Sequence, residues 1–209
     1  MRSPTTGASV AWVNGNVPPS STNSPDTARG RLIVIAGPGG VGKSTIVAEL
    51  RRRMPLHFSV SATTRDPRPG EVHGFHYRFV TRPEFERLID ADDLLEWALF
   101  NGNYYGTPRD AVVAGLEDGR DVLLEIEVQG AFQISRVMPE AIMIFVAPPS
   151  LNALKRRLEK RADTSEADIE AKLRIAEAEM AAAPELFDHI VVNDDRERAV
   201  GEILGILAV

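Results

Sequence analysis

A glycine-rich segment between an apolar stretch and a helical one constrains this chain more than any other feature. Residues 37–44 read Gly-Pro-Gly-Gly-Val-Gly-Lys-Ser, with apolar residues 32–36 before them and a helix-like stretch, residues 45–50, after them. This is the pattern G-x-x-x-x-G-K-[ST] in the order strand, loop, helix that a phosphate-binding loop requires. Glycines allow such a loop to wrap a polyphosphate with backbone N–H groups, and the following helix adds partial positive charge. The segment therefore predicts a nucleoside triphosphate site.

The loop pattern also assigns chemical roles to single residues. Lys43 is predicted to reach the β- and γ-phosphates, and the Ser44 hydroxyl is predicted to ligate Mg²⁺, with Thr45 as a less favoured substitute. The alternative, a turn that only joins a strand to a helix, is disfavoured because the pattern rarely arises by chance. The predicted ATP-binding residues of this segment are Gly37, Pro38, Gly39, Gly40, Val41, Gly42, Lys43, Ser44 and Thr45.

Composition narrows the class of protein. The 209 residues include 24 Lys plus Arg against 30 Asp plus Glu, so a net charge of −6 argues against a general nucleic-acid-binding surface. There is no cysteine, which excludes disulfides and thiolate metal sites and favours a cytoplasmic location. No apolar run approaches the roughly 18 residues of a membrane span. Residues 1–28 are rich in Ser, Thr, Pro and Asn and are expected to form a disordered extension.

The remaining residues, 29–209, suit one α/β domain, because apolar strand-like stretches alternate with helical ones. Residues 61–79 interrupt this alternation with arginines and a tyrosine among prolines and glycines that preclude a helix. A stiffened loop that presents guanidinium forks is suited to binding a phosphate through paired hydrogen bonds. This segment therefore predicts a second phosphate site, for an acceptor.

The second segment carries a family resemblance. Residues 63–79 follow the pattern T-T-R-x-x-R-x-x-E-x-x-G-x-x-Y-x-F, which resembles the GMP-binding signature of guanylate kinases. Glu96-Trp97, residues 103–107 (Asn-Tyr-Tyr-Gly-Thr) and residues 191–194 (Val-Val-Asn-Asp) continue the resemblance in the family's order. It extends from about Leu32 to the C-terminus and leaves out the N-terminal extension.

The resemblance implies a fold and a division of the chain. The expected fold is a P-loop NTPase core with a central parallel sheet flanked by helices, plus a small mixed α/β GMP-binding subdomain and a helical lid. The core is expected at residues 29–60, 110–149 and 182–209, the GMP-binding subdomain at 61–109 and the lid at 150–181.

The resemblance also implies which residues bind GMP. Two arginines and two tyrosines match positions that bind its phosphate, and a carboxylate matches one that orients the arginines: Arg65, Arg68, Tyr77, Tyr105 and Glu71. The guanine-reading positions are Ser61, Glu96 and Thr107. Guanine offers N–H donors that suit the two oxygens of Glu96 and an O6 acceptor that suits the Thr107 hydroxyl. Adenine reverses these groups and would leave polar atoms unpaired.

Two carboxylates end the next apolar stretch. Residues 121–127 are predicted to form a strand with Glu125 and Glu127 on one face. The family usually carries Asp at the position of Glu127, so two roles stay open for the longer side chain. It either contacts the guanine or ribose end of GMP or reaches the metal through water, while an ordinary solvated carboxylate remains the plainer alternative.

Basic residues follow at 155–161, before a helix expected from Ser165 through Met180. Such a cluster is often only a solvated helix face. The resemblance implies instead that Arg157 and Arg161 are lid arginines that clamp the transferred phosphoryl group, with Lys172 in place of a third arginine. It also places Asn193 at the ATP adenine.

The expected activity is that of a guanylate kinase, in which MgATP and GMP, with dGMP as a second acceptor, give ADP and the nucleoside diphosphate. Its partners would be these small molecules, with no nucleic acid and no membrane, and the sequence leaves the oligomeric state open. Two alternatives remain: a P-loop kinase with another acceptor, and a non-catalytic guanylate-kinase-like module that binds phosphopeptides. An intact phosphate loop favours catalysis over the module.

Overall fold

Two β-sheets organise the fold, a larger parallel one and a smaller mixed one. The computed structural model describes residues 29–100, 102–160 and 165–208, so the predicted extension 1–28 lies outside the described residues. Within the described residues the strands are β1 Leu32–Ala36, β2 His57–Phe58, β3 Ala62–Thr63, β4 Arg78–Phe79, β5 Leu94–Phe100, β6 Asn103–Pro108, β7 Val122–Glu125, β8 Ile142–Ala147 and β9 His189–Val192. The helices are α1 Lys43–Arg53, α2 Arg82–Asp90, α3 Arg109–Glu117, α4 Val128–Val137, α5 Leu151–Glu159, α6 Glu166–Leu186 and α7 Arg196–Leu207.

The larger sheet has the strand order β2-β7-β1-β8-β9, and all of its pairings are parallel. Its central strand β1 is buried along its whole length, as expected for a parallel sheet covered on both faces. Ile33 and Ile35 pack against α1 and α7, whereas Leu32 and Val34 pack on the other face against α3, α4 and α6. This arrangement confirms the predicted α/β class with a central parallel sheet flanked by helices.

The smaller sheet has the order β4-β3-β6-β5 and contains both parallel and antiparallel pairs. Its β5–β6 hairpin pairs Glu96 directly with Thr107. Directly opposed residues of an antiparallel pair project from the same face of the sheet. The hairpin therefore brings two of the three predicted guanine-reading side chains together.

The strand that was expected to carry both carboxylates is shorter than predicted. β7 ends at Glu125, and Glu127 is the residue that precedes the first turn of α4. The prediction that Glu125 and Glu127 share one strand face is therefore wrong. Period-two alternation is compatible with a strand of any length, so nothing in residues 121–127 marks where extended backbone gives way to the helix.

The long helix after the basic cluster extends past its predicted end. α6 begins after Ser165, whose hydroxyl accepts from the Asp168 N–H, and continues beyond Met180 to Leu186. It includes Pro184 in its last turn, where the loss of one backbone hydrogen bond is tolerated near the helix end. None of the helices in the described part of the chain combines the length and the apolar character that a bilayer crossing requires.

Candidate active site

The glycine loop adopts a backbone that only glycine accommodates easily. Gly37, Gly40 and Gly42 have φ angles of 146°, 89° and 104°. A Cβ atom on Gly37 would lie 2.3 Å from the carbonyl oxygen of Val146 on β8. The loop then leads into α1 at Lys43, so the strand, loop and helix order predicted from the sequence is present.

The Lys43 side chain is buried, with 8% of its surface exposed. Its ammonium Nζ donates to the carbonyl oxygens of Gly37 at 2.5 Å and Pro38 at 3.3 Å. The same nitrogen lies 3.4 Å from Glu127 Oε1. The ammonium is therefore held at the loop itself, beside a carboxylate at the start of α4.

Ser44 lies beside a second carboxylate. Its Oγ donates to Glu125 Oε1 at 2.6 Å, which leaves the oxygen lone pairs of Ser44 available to a ligand. Burial raises the pKa of the Glu125 carboxyl, and the hydrogen bond from Ser44 and the charge of Lys43 oppose this rise. The described residues contain no group of three or more His, Cys, Asp or Glu side chains that would cage a metal on their own. Hydroxyl and carboxylate oxygens suit Mg²⁺, which protein sites bind with few side chains plus phosphates, so this donor set fits the predicted ion.

A cavity of about 550 Å³ joins the phosphate loop to the smaller sheet. Lys43 and Ser44 contribute to its lining, and so does every predicted GMP-binding residue except Thr107. Thr107 lies directly behind this lining, where its Oγ1 donates to Glu96 Oε1 at 2.7 Å. Two segments that the sequence assigned to donor and acceptor phosphates therefore share one cavity.

Glu71 fixes the position of the Arg65 side chain in this cavity. Its Nη1 and Nη2 donate to Glu71 Oε2 and Oε1 at 3.0 and 2.9 Å, a two-point pairing that raises the pKa of Arg65 and lowers that of Glu71. Glu71 Oε2 also accepts the backbone N–H of Arg68 at 2.7 Å. The Arg65 guanidinium lies 5.5 Å from the ring centre of Tyr77. Glu71 therefore ties together the two parts of the loop that carry Arg65 and Arg68.

Glu96 is the most buried acid of the cavity, with 5% of its surface exposed. Burial raises the pKa of this carboxyl from its ordinary value of 4.5 to about 7, and the Glu127 charge adds to the rise, whereas the Thr107 hydrogen bonds oppose it. A Cβ atom on Gly130 of α4 would lie 2.3 Å from Glu96 Oε2. The close approach of α4 to this carboxylate therefore depends on glycine.

Sequence reasoning missed two residues that hold this part of the cavity. Gly130 was not singled out, although it closely follows the carboxylate Glu127. Gln133, one turn further along α4, accepts the Trp97 backbone N–H at 3.1 Å and donates to the Trp97 carbonyl at 2.8 Å. It thereby fixes β5 next to Glu96, and no sequence signal indicated this contact, which joins residues 36 positions apart.

A second cavity, of about 380 Å³, lies on another part of the loop and is lined by Thr45, Arg157 and Asn193 among others. Arg157 donates to the carbonyl oxygens of Val41 at 2.9 Å and Asn193 at 2.7 Å. Asn193 Nδ2 also donates to the Val41 carbonyl at 2.8 Å. Arg157 and Asn193 thus line the same cavity, and neither of them lines the larger one.

Two further lid residues were predicted, Lys172 and Arg161. Lys172 lies on α6 and lines neither of them. Arg161 lies outside the described residues. The clamping roles of Arg157, Arg161 and Lys172 therefore stay predictions.

Comparison with known proteins agrees with this geometry. A family profile described as "Guanylate kinase" matches residues 29–208. The guanylate kinase of Synechococcus sp. (strain JA-3-3Ab) is 53% identical over 184 residues, which cover 88% of this chain and 84% of that protein. The guanylate kinase of Streptomyces coelicolor is 51% identical over 190 residues, which cover 90% of this chain and 96% of that protein.

A solved structure supports the same assignment. The crystal structure of guanylate kinase from Anaplasma phagocytophilum superposes with a TM-score of 0.71 at 34% identity, covering 87% of this chain and 86% of that one. The family profile spans both sheets and the cavity between the glycine loop and the smaller sheet. The chain therefore belongs to the guanylate kinase family.

Proposed function

We propose that this protein transfers the γ-phosphoryl group of ATP to GMP, giving ADP and GDP, with dGMP as a second acceptor. The observation that carries the proposal is the shared cavity, which has Lys43 and Ser44 of the phosphate loop together with Arg65 and Glu96 of the acceptor segment in its lining. The guanylate kinase relatives, about half identical over most of the chain, support the same reaction.

Charge neutralisation and alignment account for the catalysis. The GMP phosphate is a monoester that already carries most of two negative charges at neutral pH, so it attacks without a general base. Arg65 and Arg68 would hold this phosphate, because Glu71 keeps their loop ordered before GMP arrives. Lys43 would leave the loop carbonyls for the β- and γ-phosphates of ATP and so draw the two anions together.

Base recognition would rest on the Glu96–Thr107 pair. The ionised Glu96 carboxylate would accept the N1–H and N2–H₂ donors of guanine, and the Thr107 hydroxyl would turn its one proton from Glu96 Oε1 to the guanine O6. Both side chains are buried, so a base that mismatches them leaves polar atoms without partners. AMP is therefore the acceptor that this arrangement rejects most directly.

Ser44 is the residue proposed to hold Mg²⁺, chiefly together with the ATP phosphates. When bound, the ion neutralises charge on the β- and γ-phosphate oxygens. Glu125 accepts a hydrogen bond from the Ser44 hydroxyl, which would leave the lone pairs of the Ser44 oxygen available to the ion. Glu127, paired with Lys43, keeps the two roles left open above, at the guanine or ribose end of GMP or at the metal through water.

The division of the chain into parts belongs to the same proposal. The parts are the core, the GMP-binding subdomain and the lid given above, and the presence of two separate sheets supports this division. Asn193 would meet the adenine end of ATP in the second cavity, Arg157 would act as a lid arginine from the same cavity, and the reaction would take place in the cytoplasm.

Product analysis tests the proposal. The protein is incubated with GMP and ATP labelled on the γ-phosphoryl group, and the nucleotides are separated. The proposal requires the label to appear in GDP while unlabelled ADP accumulates in equal amount. Label that appears only in inorganic phosphate, or that never leaves ATP, would contradict it, and the second result would favour a binding module.

A further inference from the structure

Helix α4 connects the larger sheet to the strand that carries Glu96. Ala131 and Ile134 are fully buried in the cluster that covers one face of the larger sheet, and Leu95 of β5 belongs to the same cluster. Gly130, on the same helix, lies against Glu96 and contributes to the lining of the larger cavity. α4 is therefore anchored to the core while it contacts the guanine-reading hairpin.

β5 is the outer strand of the smaller sheet, so among the described residues its open side has no strand partner. At Trp97 the Gln133 side chain takes the place of a strand. Its amide oxygen accepts the Trp97 N–H at 3.1 Å, and its amide nitrogen donates to the Trp97 carbonyl at 2.8 Å. A side-chain amide offers the same donor and acceptor as a peptide group, so it satisfies both backbone groups at once. Gln133 therefore fixes the distance between α4 and β5 at the residue next to Glu96.

The Glu96 carboxylate has close neighbours on two sides. Thr107 Oγ1 donates to its Oε1 at 2.7 Å. On the side of α4, a Cβ atom on Gly130 would lie 2.3 Å from Oε2 and 2.9 Å from the carboxyl carbon, so the helix backbone leaves room for the carboxylate and for little more. A change in the distance between α4 and β5 would therefore shift or tilt this carboxylate in the cavity.

We propose that Gln133 and Gly130 are positioning residues for guanine recognition: Gln133 holds β5 at a set distance from α4, and Gly130 leaves the space in which the Glu96 carboxylate is oriented. The inference rests on the proposed reading of guanine by Glu96. Hydrogen bonds weaken steeply when donor and acceptor lose alignment, and this carboxylate would have to meet two N–H groups of guanine at once. A displaced carboxylate should therefore lower the affinity for the base and leave the phosphate sites unchanged.

Gln133→Met tests the two hydrogen bonds, because methionine keeps the approximate length of the side chain and removes both of them. The contact lies at an exposed edge, so water can bind the two Trp97 groups and the variant is expected to fold, which circular dichroism checks. In a coupled ADP assay, KM for GMP should rise about tenfold, with kcat and KM for MgATP within about twofold of the parental values. The matched control is Gln129→Met, which changes an exposed glutamine one turn earlier on α4 and should alter none of these quantities.

Gly130→Ala tests the space beside Glu96 independently. The new Cβ atom has to displace the carboxylate or the helix, so KM for GMP should rise at least about tenfold, although alanine is the better helix former. The control is Gly201→Ala on α7, where nothing lies within 4 Å of an added Cβ atom, and KM for GMP should not change.

Two readouts separate positioning from general damage. Inosine monophosphate (IMP) lacks the 2-amino group of guanine and offers Glu96 one N–H donor instead of two, so the ratio of kcat/KM for GMP to that for IMP should fall about threefold in both variants. In the Glu96→Gln background, Gln133→Met should change KM for GMP by less than about threefold, because the charged carboxylate that Gln133 positions is already absent.

Three results would overturn the inference or its basis. If Gln133→Met kept the parental KM for GMP, or raised it by the same factor with and without Glu96→Gln, Gln133 would not act through Glu96, although phosphoryl transfer to GMP would stand. A parental KM for GMP in Gly130→Ala would refute the role of Gly130 in the same way. If the parent protein formed no GDP, the proposed function would fail and the inference with it.

Discussion

Replacing Glu96 by Gln is expected to stabilise the fold at high pH while it weakens guanine binding. The folded protein holds the Glu96 proton more tightly than the unfolded chain does, because burial raises its pKa from 4.5 to about 7. The free energy of unfolding therefore falls as the pH rises from 4.5 towards 7, and the full loss remains above that. Gln has nearly the same shape and no charge to ionise, so the variant escapes this loss.

The size of the change in unfolding free energy follows from the raised pKa of Glu96. A pKa raised from 4.5 to about 7 corresponds to about 3 kcal/mol of lost stability above pH 7, and to less than about 1 kcal/mol near pH 5. The variant-minus-parent difference in unfolding free energy should therefore grow by about 2–3 kcal/mol between about pH 5 and about pH 8. Other acids titrate alike in both proteins, so they cancel from the difference.

The same substitution removes the charged carboxylate that is proposed to accept hydrogen bonds from the N–H groups of guanine. Hydrogen bonds to a charged group contribute about 1.5–3 kcal/mol each, so KM for GMP should rise on the order of a hundredfold near pH 8. In the parent, the ionised fraction of Glu96 falls about tenfold from about pH 8 to about pH 6, and the affinity for GMP should fall with it. The GMP phosphate also titrates in this range, so the parent should lose more affinity than that titration alone causes. The Gln variant should show only the phosphate contribution.

Urea unfolding followed by circular dichroism, and a coupled ADP assay with varied GMP, measure the two effects. Glu86→Gln, which changes an exposed acid on α2, is the control and should alter neither. A stability difference that stays constant with pH would refute the argument that burial holds the Glu96 proton. Unchanged KM for GMP would refute its role in reading guanine.

Three further substitutions test neighbouring parts of the account. Lys43→Ala should lower kcat by about a thousandfold and leave the Kd for GMP within about twofold of the parental value. The exposed control Lys155→Ala should change neither kcat nor the Kd for GMP. Near-parental turnover of Lys43→Ala would contradict the assignment of Lys43. Thr107→Val leaves the buried Glu96 oxygen without its hydrogen-bond donor. KM for GMP should therefore rise about tenfold, and the free energy of unfolding should fall by about 1–2 kcal/mol. Parental values of both would be inconsistent with the 2.7 Å hydrogen bond. Arg65→Lys loses the two-point pairing with Glu71, so KM for GMP should rise at least about tenfold with little change in KM for ATP; equal changes in both would point to general damage.

The sequence predicted best where function depends on local backbone. The glycine loop was predictable because its φ angles and the start of α1 are set within a few residues of Gly37 and Lys43. Arg65 and Glu71 are only six residues apart, so their pairing is also nearly local. The family resemblance added the positions that no local rule predicts, such as Glu96.

Features that depend on tertiary packing were harder to foresee. The close approach of Gly130 to Glu96 and the contact of Gln133 with Trp97 arise because α4 packs against β5, and neither helix nor strand pattern encodes which face meets which. The sequence marked the basic cluster at residues 155–161. It did not show that the Arg157 guanidinium binds the Val41 carbonyl, because a long side chain reaches many positions from one backbone site.

The ratio of kcat/KM for GMP to that for AMP, measured in a coupled ADP-release assay with saturating MgATP, tests the central claim most directly. The buried Glu96–Thr107 pair predicts that GMP is preferred by on the order of a thousandfold or more. Comparable values for GMP and AMP would contradict the assignment of the guanine-reading residues, and no ADP release with either nucleotide would contradict the proposed reaction itself.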